Sequence, residues 1–224
     1  MAKKAVAITK QLCQNALCII DRGLSNGIQS DGKVCIEYAI SIASGTPEDK
    51  DGPTCVHPSL RSFKINLNDG YIYDDEAHRA KVLRRIGIAQ LGTNKGFSWV
   101  KFSKALTKWQ DEFVANWNEA NVPKVAVTKT QRAIVLNALN TLDSDDLSDA
   151  ASVLEDLNSE AVSFTAADDL LSDYPEKIDD YVEGIVQILK KMKTPGSKFL
   201  YLTEGKKKFK LNAAIEESLK KIVG

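Results

Sequence analysis

Trp99, Phe102, Leu106, Trp109, Phe113 and Trp117 follow one another at steps of three and four residues. An α-helix at about 3.6 residues per turn gathers such positions on one side. The run therefore predicts a long helix over residues 97–120 with a broad aromatic face. Large aromatic side chains dominate core energetics, so the stripe is read as a core anchor in preference to a ligand-stacking platform.

The same period recurs along the chain. Ile8, Leu12, Ala16, Ile20 and Leu24 predict a helix over residues 5–24, ended by Gly23 and the Ser25-Asn26-Gly27 cluster. Val34, Ile36, Ala39, Ile40 and Ala43 predict a second helix from Lys33, with Asp31 placed to cap it. Asp74 or Asp75 caps a third that reaches Leu91, where Gly92 supplies a left-handed close. Further helices are expected over residues 128–142, along the acidic residues that follow, from Pro175 to Met192, and over residues 212–223.

Proline and glycine divide these runs. Residues 45–58 hold Pro47, Gly52, Pro53 and Pro58 and predict an irregular loop. Phe63, Ile65 and Leu67 alternate with polar residues, which predicts a short strand or extended arm. Lys198-Phe199-Leu200-Tyr201-Leu202 and Lys207-Lys208-Phe209-Lys210-Leu211 flank Glu204-Gly205 and read as a β-hairpin. The expected fold is thus mainly α, a bundle-like set of helices with a small C-terminal hairpin. The Asn121-Val122-Pro123 break suggests an N-terminal unit over residues 1–121 and a C-terminal unit over residues 124–224.

Composition bounds the function. With 224 residues, 43% hydrophobic and 27% charged, the chain has the make-up of an ordinary globular protein. Its formal net charge is zero, so no bulk field draws it to nucleic acid or membrane. No signal-peptide core or membrane-length apolar run is visible, and a cytosolic protein is expected. Charge nevertheless separates along the chain: residues 143–183 are acidic and the tail beyond them is rich in lysine.

Cys13, Cys18, Cys35 and Cys55 match no zinc spacing, and free thiols are expected. Neither His57 nor His78 belongs to a metal motif, and no phosphate or dinucleotide loop occurs, so no metal or cofactor is expected. The most suggestive chemical set centres on Cys35. A helix N-terminus and nearby Lys33 would favour its thiolate. Gln29 could stabilise an oxyanion, and His57 in the following loop could act as base, oriented by Asn66, Asn68 or Asp69. The order is that of papain-like enzymes, yet the aromatic that follows their cysteine is missing. Glu37 lies about 200° around the helix from Cys35. It could serve as a catalytic acid; an ion pair with Arg61, Arg79, Arg84 or Arg85 is the plainer expectation. Lys206, Lys207 and Lys208, with Phe199, Tyr201 and Phe209, could hold phosphates and stack bases. A hairpin packed on the last helix is the simpler reading.

Gly32-Lys33-Val34-Cys35-Ile36-Glu37, Gly45-Thr46-Pro47, Pro53-Thr54-Cys55-Val56-His57-Pro58, Leu60-Arg61, Leu67-Asn68-Asp69, Leu83-Arg84-Arg85 and Ala89-Gln90-Leu91-Gly92 together resemble a pattern in uncharacterised bacterial and phage proteins. The resemblance spans roughly residues 15–93 and implies no reaction. It does direct attention to Cys35, Glu37, Cys55, Asn68, Asp69 and Arg85 as a shared site or structural core. The leading functional expectation is a non-enzymatic binding or regulatory module, phage- or defence-related, acting through a protein partner or self-association. A cysteine-dependent enzyme using Cys35 and a nucleic-acid binder using the C-terminal lysines are the alternatives.

Overall fold

The computed structural model of the chain describes residues 6–26, 33–49, 52–69, 73–121, 171, 175–205 and 208–223. These residues are mainly helical. In chain order the α-helices are α1 (Lys10–Ile20), α2 (Ile36–Ala43), α3 (Pro58–Asp69), α4 (Glu76–Ala89), α5 (Trp99–Asn121), α6 (Ile178–Lys191) and α7 (Ala213–Val223). Short 3₁₀ helices occupy Pro175–Lys177 and Pro195–Thr203. The chain separates into two compact units, Met1–Phe102 with Pro175–Gly224, and Ser103–Tyr174. This grouping differs from a boundary at residues 121–124. The reason is that α6 and the chain after it pack on α1 and α4.

Capping explains why helices begin where they do. Residues 6–9 are not helical, although the apolar period extends back to Ile8. Thr9 is extended, and its hydroxyl accepts the Leu12 N–H at 3.1 Å, so α1 starts at Lys10. Asp75 caps α4 in the same way by accepting the His78 N–H at 2.7 Å. Helix α2 starts at Ile36, three residues later than the period suggests, and Cys35 is its N-cap. The residue proposed to cap it, Asp31, lies outside the described residues. Every residue of α2 is buried. A helix buried all round is a core element, and α1, α3, α4 and α7 surround this one.

Two expectations of extended chain are corrected. Phe63–Leu67 belongs to α3, whose first residue, Pro58, suits a helix's opening turn. Its buried positions are Leu60, Phe63, Lys64, Leu67 and Asn68, a helical spacing that becomes visible only when Lys64 is counted as buried. The C-terminal hairpin is not seen. Lys198–Leu202 lies in the 3₁₀ helix that opens at Pro195, and Lys208–Asn212 is irregular. In a 3₁₀ helix residues three apart eclipse. Leu200 and Thr203 therefore share one side, and both are buried.

The 3₁₀ helix is seated tightly on the end of α4. Thr194 Oγ1 donates to the Ala89 carbonyl at 2.6 Å, and the Gly196 N–H donates to the Leu91 carbonyl at 2.9 Å. A Cβ on Gly196 would fall on the Ile88 carbonyl oxygen. An aromatic cluster forms at the start of α5. Phe102 is fully buried, with ring centroids of Trp99 at 5.3 Å, Phe97 at 5.6 Å and Phe63 at 6.1 Å. In the second unit, Trp109 and Phe113 meet at 5.5 Å, as the aromatic stripe predicts. The expected helices over residues 128–142 and along the acidic stretch lie outside the described residues.

The Gly196 contact gives a direct test. Gly196→Ala should lower stability by more than about 2 kcal/mol, because backbone must move to admit the methyl group. Chemical denaturation measures it, and an unchanged midpoint would show that the 3₁₀ helix does not press on α4.

Candidate functional site

Three helices converge on one buried ion pair. Glu37 is the second residue of α2, Lys64 lies in the middle of α3, and Gln90 is the C-cap of α4. All three are fully buried. Lys64 Nζ is paired directly with Glu37 Oε1. An arginine is the expected partner of Glu37, and the structure gives it Lys64 instead, a residue that sequence alternation places within an apparent strand. Arg61 still contributes to holding Glu37 charged, as does the Gln90 amide beside it, though no well-formed hydrogen bond closes to that amide.

Burial acts against both charges. It pushes the Glu37 carboxyl up, opposed mainly by Lys64, and pushes the Lys64 ammonium down, opposed mainly by Glu37. Each partner is thus the chief support of the other's charge. Removing either would leave an uncompensated charge in the core.

Asn68 ties the edge of this core together. Its Oδ1 accepts the Ile36 N–H at 3.3 Å, capping α2 from a different helix. Its Nδ2 donates to the Ser25 carbonyl and to Asp69 Oδ1, both at 2.9 Å. The Ser25 N–H in turn donates to the Val34 carbonyl at 3.2 Å, within a lone parallel bridge between Leu24 and Val34. Cys35, Glu37, Asn68 and Asp69 all line one cavity of about 70 Å³. That volume is roomy enough to admit water. The sequence grouping of Cys35, Glu37, Cys55, Asn68, Asp69 and Arg85 places four members on this cavity, leaves Cys55 and Arg85 off it, and lacks Lys64 and Gln90.

The rest of the proposed catalytic set is elsewhere. His57 does not line that cavity. Its ring lies parallel to Trp99 at 6.3 Å and close to Phe97 at 5.3 Å, and its Nδ1 accepts the Ser59 N–H. Burial lowers its pKa. Burial raises the Cys35 thiol, outweighing backbone N–H groups of α2 and the charge of Lys64. The expected activation at the helix N-terminus is therefore reversed by desolvation. Burial also pushes Cys13 to about 12 and Cys55 to about 11. All four cysteines are free. Gln29 lies outside the described residues. Among the described residues, no group of three or more histidine, cysteine or acidic side chains is placed to hold a metal.

Arg85 and Lys208 belong to a second feature. Arg85 forks onto Glu183 at 2.7 and 3.2 Å and donates to Thr203 Oγ1 at 3.1 Å. Arg84 forks onto Asp21 at 2.7 and 3.1 Å and donates to the Thr203 carbonyl. These pairs lock α4 to α1, α6 and the 3₁₀ helix. Beside them runs a groove of about 500 Å³, lined by Ala77, Ala80, Lys81, Arg84 and Arg85 of α4 and by Lys208. Lys206 and Lys207 lie outside the described residues. No helix among the described residues is long and apolar enough to cross a membrane. No family model, curated protein or solved structure matches this chain.

Thiol chemistry checks the site directly. With iodoacetamide at neutral pH, Cys18 and Cys35 should react slowly and Cys13 and Cys55 only after unfolding, because the first two are half-buried and the others buried. Peptide mass spectrometry identifies the modified residue. Fast alkylation of Cys35 below neutral pH would mean an exposed thiolate and would overturn this description.

Proposed function

We propose that this chain is a non-enzymatic binding or regulatory module that acts through protein contacts. The observation that carries this reading is the groove beside α4, an open, cation-lined concavity on a framework braced by paired arginines. Interfaces need rigid presentation, and ordering a surface in advance lowers the entropy lost on binding. The arrangement around Cys35 supports the same reading from the other side. Its thiol is held protonated, its proposed base lies in an aromatic cluster, and Glu37 is engaged with Lys64. A phage- or defence-related role follows from the resemblance to bacterial and phage proteins.

Site-specific photocrosslinking tests the proposal. A benzophenone side chain at Ala77, inside the groove, should yield discrete protein adducts in cells, whereas the same group at exposed Lys95 should not. Adducts of equal kind and yield from both positions, or none from Ala77, would contradict a binding role for this surface.

A further inference from the structure

The groove has a chemical character that narrows its partner. Ala77, Ala80, Lys81 and Arg84 stand at positions i, i+3, i+4 and i+7 of α4, and so share one face of the helix. The first two are small and apolar, and the last two are cationic. Lys208 adds a cation from the chain beyond the 3₁₀ helix. The lining therefore offers an apolar floor with four cations, Lys81, Arg84, Arg85 and Lys208, the first three of them in ion pairs with Asp179, Asp21 and Glu183.

These cations fall into two kinds. Arg84 and Arg85 are fixed by their carboxylate partners and form a stationary wall. Lys81 is 71% exposed, its pair with Asp179 is open to water, and Lys208 is exposed with no ion pair among the described residues. An exposed pair such as Lys81–Asp179 contributes little and exchanges readily. An incoming carboxylate can thus replace Asp179 at Lys81 and meet Lys208 across the groove, while an apolar side chain covers Ala77 and Ala80.

Resting on the reading of the chain as a protein-binding module, we propose that this groove receives an acidic amphipathic segment of a partner protein, with leucine-class side chains on Ala77 and Ala80 and carboxylates on Lys81 and Lys208. Nucleic acid fits less well. Asp21 and Glu183 already hold Arg84 and Arg85, so only Lys81 and Lys208 are open to an incoming anion. A phosphate backbone binds by displacing counterions from uncompensated cations. It also has no use for an apolar floor.

Fluorescence anisotropy with defined probes tests this. The probe is a helical peptide of about 15 residues with leucine at i and i+3 and glutamate at i+4 and i+7. It is compared with the same peptide carrying glutamine for glutamate, and with single-stranded DNA of similar length. The glutamate peptide should bind at least about tenfold more tightly than the glutamine peptide. Lys81→Glu/Lys208→Glu should abolish that preference. Both positions are exposed, and an unchanged melting curve confirms the fold. Ala77→Phe, which fills the floor without changing charge, should weaken both peptides together. Equal binding of the two peptides would overturn the proposal, as would DNA binding that exceeds that of the glutamate peptide. Absence of peptide binding alongside groove-specific crosslinks at Ala77 would reject an acidic partner yet leave the protein-binding role intact. Absence of both would reject the two together.

Discussion

A glutamate and a lysine, each removed from water, hold α2 and α3 to one arrangement beside the end of α4. Moving either charge into the core costs several kcal/mol, and only a close partner offsets it. Glu37 and Lys64 satisfy that condition from α2 and α3, with Gln90 of α4 beside them. An apolar contact tolerates a helix sliding by part of a turn, because many positions bury similar area. A buried ion pair does not, because a slip separates the charges. The pair therefore fixes the register of α2 against α3, and Asn68 reinforces it by capping α2 across the gap.

That constraint reaches the surface through α4. One side of this helix presents Leu83, Ile86 and Gln90 to the core. Another presents Ala77, Lys81 and Arg84 to the groove. Arg84 and Arg85 then fasten the helix to Asp21 of the turn after α1 and to Glu183 of α6. The core pair and the surface pairs thus place the groove on a helix held from both faces. Such support keeps a binding surface in one geometry before the partner arrives.

Much of this was legible in the sequence wherever apolar spacing was unbroken. The stripes of α1, α4 and α6 gave their helices, and Thr9 and Asp75 refined the starts by capping. Helix α3 was hidden because its buried face includes a lysine. A lysine is almost never fully buried unless paired, so local patterning read Lys64 as solvent-facing and left an apparent strand alternation. The hairpin reading failed for a related reason. Alternating Leu200 and Leu202 suit a strand, but Pro195 and the close seat of Gly196 on α4 set a 3₁₀ path. Of the six residues grouped from the sequence, Cys35, Glu37, Asn68 and Asp69 share a cavity, whereas Arg85 pairs with Glu183 away from it. Their chemistry was not legible, since a helix N-terminus favours a thiolate only when water or charge reaches it, and burial here decides the opposite.

The central claim is that Glu37 and Lys64 support each other rather than the core at large, and a double-mutant cycle measures this most directly. Glu37→Leu, Lys64→Met and the double variant are unfolded in denaturant beside the parent chain. Each single replacement leaves one buried charge alone and should cost about 3–5 kcal/mol. The double replacement removes both charges and should recover most of that loss, leaving a coupling of at least about 2 kcal/mol. Single losses that simply add in the double variant would mean that the two charges do not depend on each other, and the account of how these helices are registered would fail.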